Sequence, residues 1–278
     1  MKLRLWQVDA FSDRVFGGNP AGVVPLQSWP DAALMQNIAA ENNLAETAFF
    51  VKTGPGAYDL RWFTPNLEVE LCGHATLASA FVVFHFFDPA LNEVRFQTRS
   101  GELKVERGDG NGHVMSLPAA SSQPFTPPDG FAARLAKALN APAPSELHFS
   151  TKGGAGAGAL TAVWNSPADI KALKPTGDLE EILLDVKAGS LQATARGDGK
   201  PYDFVSRFFA PYFAVPEDPV TGSMHTALVP FWSKRLNKKT MKARQVSARG
   251  GDLICTDDGT RVILQGPCAL YLTGEIEV

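Results

Sequence analysis

Two short stretches set a glycine and polar side chains ahead of an apolar run. Cys72-Gly73-His74-Ala75-Thr76 and Thr221-Gly222-Ser223-Met224-His225 each lead into such a segment. A helix opening at Gly73 or Gly222 would present free N–H groups and the positive end of its dipole, a ready site for an anion. The plainer reading is that each glycine only relieves a tight turn; the repetition at equivalent positions favours a site. Glu217 and Asp218 stand just upstream of the second stretch, placed either to cap amides or to take part in chemistry. Glu46, in Ala45-Glu46-Thr47-Ala48-Phe49-Phe50, has two readings. It is a solvent-facing acid on an alternating strand, or a partly buried carboxyl with a raised pKa that exchanges a proton with carbon near neutrality.

Other chemistries lack their markers. The histidines at 74, 85, 113, 148 and 225 show no HExxH or related spacing, and no metal is expected. Cys72, Cys255 and Cys268 are far apart, odd in number and without a CxxC pair, which reads as reduced thiols. Gly153 to Ala159 resembles a degenerate dinucleotide fingerprint, but strand-like residues follow where a helix is needed, so it reads as a turn. Neither a Walker loop nor a GxSxG elbow occurs. Lys and Arg total 26 against 29 Asp and Glu, a net charge of -3, which argues against nucleic acid as a partner. The basic N-terminus meets Asp9 before an apolar core can form, and the greasy run from Ala80 to Phe87 holds His85 and stops at Asp88. No secretory signal or membrane association is expected, and the address reads as cytoplasmic.

The elements that must position these residues follow from periodicity. Strands are predicted at Leu3 to Val8, Ala45 to Val51, Tyr58 to Phe63, Glu93 to Thr98, Leu103 to Glu106 and His113 to Leu117. Phe16 to Gly22 reads as a loop before the apolar run Val23 to Leu26. A helix capped by Ser28 with Pro30 in its first turn is predicted to end at Asn42-Asn43. Later, Phe131, Leu135 and Leu139 mark an amphipathic helix, followed by strands at Glu146 to Ser150, Leu160 to Trp164 and Ser190 to Thr194.

With 278 residues, at roughly 100 to 200 residues per domain, two domains are expected. The Pro- and Ser-rich stretch from Pro118 to Asp129 reads as the linker, dividing the chain into 1–120 and 121–278, with terminal strands able to cross between halves. Arg61-Trp62-Phe63-Thr64-Pro65 leads to Cys72-Gly73-His74, and Arg207-Phe208-Phe209-Ala210-Pro211 leads through a longer spacer to Thr221-Gly222-Ser223. Both helices that follow are apolar nearly all round, Pro230 being a potential kink in the second. Such helices need enclosure, and a curled sheet around each is the simplest enclosure in a β-rich chain.

Val8-Asp9-Ala10-Phe11, Gly18-Asn19-Pro20-Ala21, Glu41 to Thr47, Phe63-Thr64-Pro65, Leu71 to Thr76 and Glu217 to Ser223, with Ser247 to Gly251, together resemble the phenazine biosynthesis PhzF-like family. Order and spacing match over nearly the whole chain. The resemblance implies the diaminopimelate epimerase-like fold: α/β (α+β), two pseudo-symmetric halves, each a curled, mostly antiparallel sheet around a central helix, with the active site in the cleft between them. It implies a homodimer and cofactor-free proton transfer in which a glutamate is helped by a histidine and an aspartate. Glu46, His74 and Asp218 fall on those positions, and Gly73, Gly222 and Ser223 on those that hold a substrate carboxylate.

The expectation is an isomerase, without cofactor, acting on a small carboxylate-bearing substrate. Racemases and epimerases of the same fold use two opposed thiols. Cys72 stands where one such thiol would sit, opposite Asp218, Thr221 and Ser223 rather than a second cysteine, so a Cys72-dependent racemase or epimerase is the alternative. A non-catalytic small-molecule or protein-binding member is the third reading.

Overall fold

The computed structural model describes residues 1–150, 158–199, 201–213 and 215–278. Most of the glycine-rich stretch at 153–159 lies outside the described residues. The chain forms two compact units, Met1–Leu117 with Ile263–Val278, and Pro118–Val262.

In the first unit the order is β1 (Lys2–Ala10), β2 (Asn19–Leu26), α1 (Ala32–Asn42), β3 (Glu46–Gly54), β4 (Ala57–Phe63), β5 (Glu68–Val69), α2 (Gly73–Val82), β6 (Glu93–Thr98), β7 (Gly101–Arg107) and β8 (Gly112–Pro118). The C-terminal strand, Arg261–Glu277, pairs with both β1 and β8 and closes a ring through β1, β2, β3, β4, β6, β7 and β8. Every residue of α2 is buried, and the helix packs on β1, β2, β3 and β7. Its hydroxyls do not break the apolar surround, because Thr76 and Ser79 each donate to the carbonyl four residues back.

The second unit runs β9 (Gln123–Pro124), α3 (Phe131–Ala138), β10 (Glu146–Ser150), β11 (Gly158–Trp164), α4 (Pro167–Ala172), α5 (Leu179–Leu184), β12 (Ala188–Arg196), β13 (Phe204–Ala210), β14 (Val215–Asp218), α6 (Gly222–Leu236), β15 (Thr240–Gln245) and β16 (Gly251–Asp257). Residues of β12 are buried on both faces, and the pleat sorts them by size and polarity. Leu191, Ala193 and Ala195 join a core with residues of α3, α4 and α5. Thr194, on the other face, accepts from Trp232 of α6 at 2.9 Å. Pro230 lies inside α6, yet the helix continues to Leu236.

The two units share one pairing scheme. In the first, β1–β2, β3–β4 and β6–β7 are antiparallel while β2–β3 and β4–β6 are parallel. The second has antiparallel β10–β11, β12–β13 and β15–β16 and parallel β11–β12 and β13–β15. A parallel pair needs a crossover. α2 is the crossover from β4 to β6, and α6 is that from β13 to β15.

Three local expectations change. The loop expected through Gly22 ends at Gly18, where φ is +63° and a Cβ would lie 2.1 Å from the Ala10 carbonyl oxygen, so β2 begins at Asn19. The first helix is capped by Asp31, not Ser28, because the Asp31 carboxylate reaches the Ala33 N–H at 3.0 Å. The stretch from Pro118 to Asp129 is tied into the second unit by backbone hydrogen bonds from Ala119 to Thr260, Ala120 to Thr226 and Phe125 to Leu147.

Candidate active site

Glu46 opens β3, one pleat in phase with Ala48 and Phe50. Phe50 meets Phe87, beyond the end of α2, and Phe49 on the opposite face meets α1 residues in a separate core. The acid therefore faces α2 within the ring, not solvent, and its side chain is 17% exposed. Its Oε2 lies 3.1 Å from Nε2 of His74. The pair is close but not aligned as a hydrogen bond, and neither atom has another hydrogen-bond partner.

His74 is the second residue of α2, a buried ring held on both edges. Nδ1 lies 3.1 Å from the Asn19 side-chain amide nitrogen and 3.5 Å from the Cys72 sulfur. Accepting from Asn19 at Nδ1 puts the ring proton on Nε2, toward Glu46; a second proton on Nδ1 requires the amide to present its oxygen instead. Burial disfavours the imidazolium, but the neighbouring Cys72 sulfur and Glu46 carboxylate outweigh it and hold His74 well above 6.5. Cys72 is raised as well, which keeps it neutral. Burial first, and the Glu46 charge second, push its thiol up to about 11, so at neutral pH it is a protonated thiol. With Cys72 neutral, Glu46 is the charge that favours imidazolium.

Asn19 owes its place to the preceding turn. Asp9, buried in β1, accepts from the Phe16 N–H at 2.9 Å, and Phe11 and Phe16 take positive φ angles of 61° and 69° to fold the loop back. That loop ends on Gly18 and delivers Asn19 to the ring interior.

In the second unit Asp218, Gly222 and Ser223 gather at the start of α6. The Thr221 hydroxyl donates to the Asp218 carboxylate. Gln245, wholly buried at the end of β15, accepts from the Thr221 N–H at 2.8 Å through Oε1. Its Nε2 donates to the Asp218 carbonyl at 2.6 Å. Glu217 is not a cap: Arg207 binds it at two points, 2.7 and 2.8 Å. Arg61 holds Glu68 in the same way, at 2.7 and 2.8 Å, on the strand pair before α2. These forks give the repeated arginine a physical purpose, since each pins the short strand that leads into a central helix.

Neither central helix has a side-chain cap, a lack they share with α3 and α5. α1 has Asp31 and α4 a full capping box at Ser166, whereas Cys72 and Thr221 make no side-chain cap to α2 and α6. First-turn amides left without a side-chain acceptor suit a ligand anion. Gly222 is buried and Ser223 exposed.

The structure thus joins Glu46, Gly73 and His74 at one helix start, and Asp218, Gly222 and Ser223 at the other. Sequence reasoning named no role for Asn19 or Gln245. Asn19 carried a signal, a polar residue in a glycine and proline turn; Gln245, one amide at a strand end, carried none.

The ring of strands around a buried helix is the architecture of epimerase-like α+β proteins. A hydroxyproline epimerase from Agrobacterium vitis shares that fold, with a TM-score of 0.61 at 10% identity over 99% of this chain and 92% of that one. The profile of the phenazine biosynthesis-like protein family matches residues 8–274, and the chain belongs to this PhzC-PhzF family. An uncharacterized isomerase of Pseudomonas aeruginosa is 44% identical over the full length of both chains. A crystal structure of a PhzF-family phenazine biosynthesis protein from Enterococcus faecalis superposes with a TM-score of 0.88 at 39% identity, covering both chains completely. Among the described residues no helix is long and apolar enough to cross a membrane.

Proposed function

We propose that the protein is a cofactor-independent isomerase that moves a proton between carbon positions of a small carboxylate-bearing substrate. The observation that carries this is the 3.1 Å approach of Glu46 to His74 in a largely buried site, with no other hydrogen bond to either atom. The name of the Pseudomonas aeruginosa relative, an isomerase, supports the same reaction class.

Glu46 acts as base and then as acid. Its carboxylate takes the proton as one C–H bond breaks, the electron pair shifts along the substrate, and the same carboxyl returns the proton as a new C–H bond forms. His74, 3.1 Å away, steadies the carboxylate electrostatically, and Asn19 fixes the ring's orientation. Each helix start offers N–H groups to a substrate carboxylate: Gly73 at α2, and Gly222 and Ser223, with the Ser223 hydroxyl and Asp218 beside them, at α6. Cys72 does not supply the base at neutral pH, because its thiol stays protonated to about 11.

The test is a screen of small unsaturated and amino carboxylic acids by NMR in deuterated water. Deuterium should enter one class of acid with wild type, and Glu46→Gln should lower exchange by roughly two to four orders of magnitude. Exchange intact in Glu46→Gln but abolished in Cys72→Ala would replace this mechanism with a thiol one. Binding without exchange for every acid would mark a non-catalytic binding protein.

A further inference from the structure

We propose that Glu46, Cys72 and His74 form a binding site for a thiophilic divalent cation of the zinc and cadmium class. The sequence has no metal spacing, since Cys72 and His74 lie two residues apart at a helix start and the third donor comes from another element. The ring brings them together: one carboxylate oxygen, one sulfur and one imidazole nitrogen lie within 4.8 Å of one another. Thiolate, imidazole and carboxylate together suit zinc or cadmium, whereas magnesium and calcium prefer oxygen alone.

Two further observations separate this cluster from ordinary buried polar groups. The Glu46 Oε2 and His74 Nε2 atoms make no hydrogen bond, and a cation that takes the Cys72 sulfur displaces only its long 3.5 Å contact with His74 Nδ1. A second close acid–imidazole pair among the described residues, Glu146 and His148, has no sulfur, and Arg235 already neutralises its carboxylate through two hydrogen bonds. Cys255 and Cys268 are buried thiols outside the cluster.

Binding releases the thiol proton, and also one imidazole proton when the ring is charged, so affinity falls as pH is lowered. Three protein donors leave a further position to water or to a carboxylate from solution. The site does not depend on the isomerase reading. If that reading holds, the cation occupies the atoms that carry the proton, and it inhibits.

The experiment is a titration of the reduced, chelator-treated full chain with cadmium chloride, following the ultraviolet thiolate-to-cadmium band, with zinc chloride as competitor. A saturable band at one cation per chain is expected, displaced by zinc, absent in Cys72→Ser and unchanged in Cys255→Ser and Cys268→Ser. Glu46→Gln and His74→Gln keep the sulfur and should weaken binding by roughly tenfold or more. Circular dichroism checks that each variant is folded. No saturable band in wild type, a band that survives in folded Cys72→Ser, or full affinity in both Glu46→Gln and His74→Gln would overturn the proposal.

Discussion

Arg207 closes a two-point fork on Glu217, with Nε to Oε1 at 2.7 Å and Nη2 to Oε2 at 2.8 Å, one residue before Asp218. Its remaining nitrogen reaches the Leu173 carbonyl at 2.6 Å, at the end of α4. The guanidinium therefore ties β14 to the end of α4. Replacing it by Met leaves a partly buried carboxylate without its partner, and Arg207→Met should cost about 3 kcal/mol in denaturant unfolding. Glu217→Gln keeps some of the hydrogen bonding and should cost less. Equal, near-zero losses for both would show that the fork contributes no net stability.

Gln245 should matter to both stability and activity. Gln245→Leu strands the Thr221 N–H, at about 1 to 3 kcal/mol, and removes the hydrogen bond to the Asp218 carbonyl. Once an acid that exchanges deuterium is known, Gln245→Leu should also lower turnover at a temperature where the variant is fully folded, because Asp218 and the α6 amides lose their anchor. Normal turnover in the folded variant would confine Gln245 to a structural role.

Cys72→Ala should retain deuterium exchange within roughly tenfold of wild type, since the thiol meets His74 at Nδ1 rather than at the Nε2 beside Glu46 and is protonated at working pH. A loss of two or more orders of magnitude, measured in the same exchange assay, would make the sulfur a participant.

Acid should destabilise the protein before its carboxylates titrate. Burial lowers His113 to about 4, helped by His85 and Arg107, and lowers His225 to about 4. An unfolded chain takes up these protons near 6.5, while the folded chain refuses them until about 4. The stability is thus full above about pH 6.5 and is lost as pH falls toward 4, by up to about 3 kcal/mol per histidine. Urea midpoints at pH 7.5 and pH 5 measure this, and His113→Phe, between Phe81 and Phe84, should shrink the difference. Unchanged midpoints across that interval would mean that neither ring is held neutral.

Much of the architecture was legible in local pattern. The two nearly all-apolar helices at Gly73 and Gly222, and strands such as Glu93–Thr98, follow from periodicities that any short window carries. The arginine repeat was visible as well, although its purpose was not. What the tertiary structure alone decided are pairings between distant segments: Glu46 turned inward onto His74, Asn19 on the far edge of the same ring, Glu217 claimed by Arg207, and Gln245 bonded across to Thr221. The C-terminal strand's return to the first unit belongs with them. An alternating strand has two faces, and its sequence does not say which one meets a given helix; strand register and ring closure choose the face. Whether one acid meets water or an imidazole is therefore a property of the whole ring, not of the residues on either side of it.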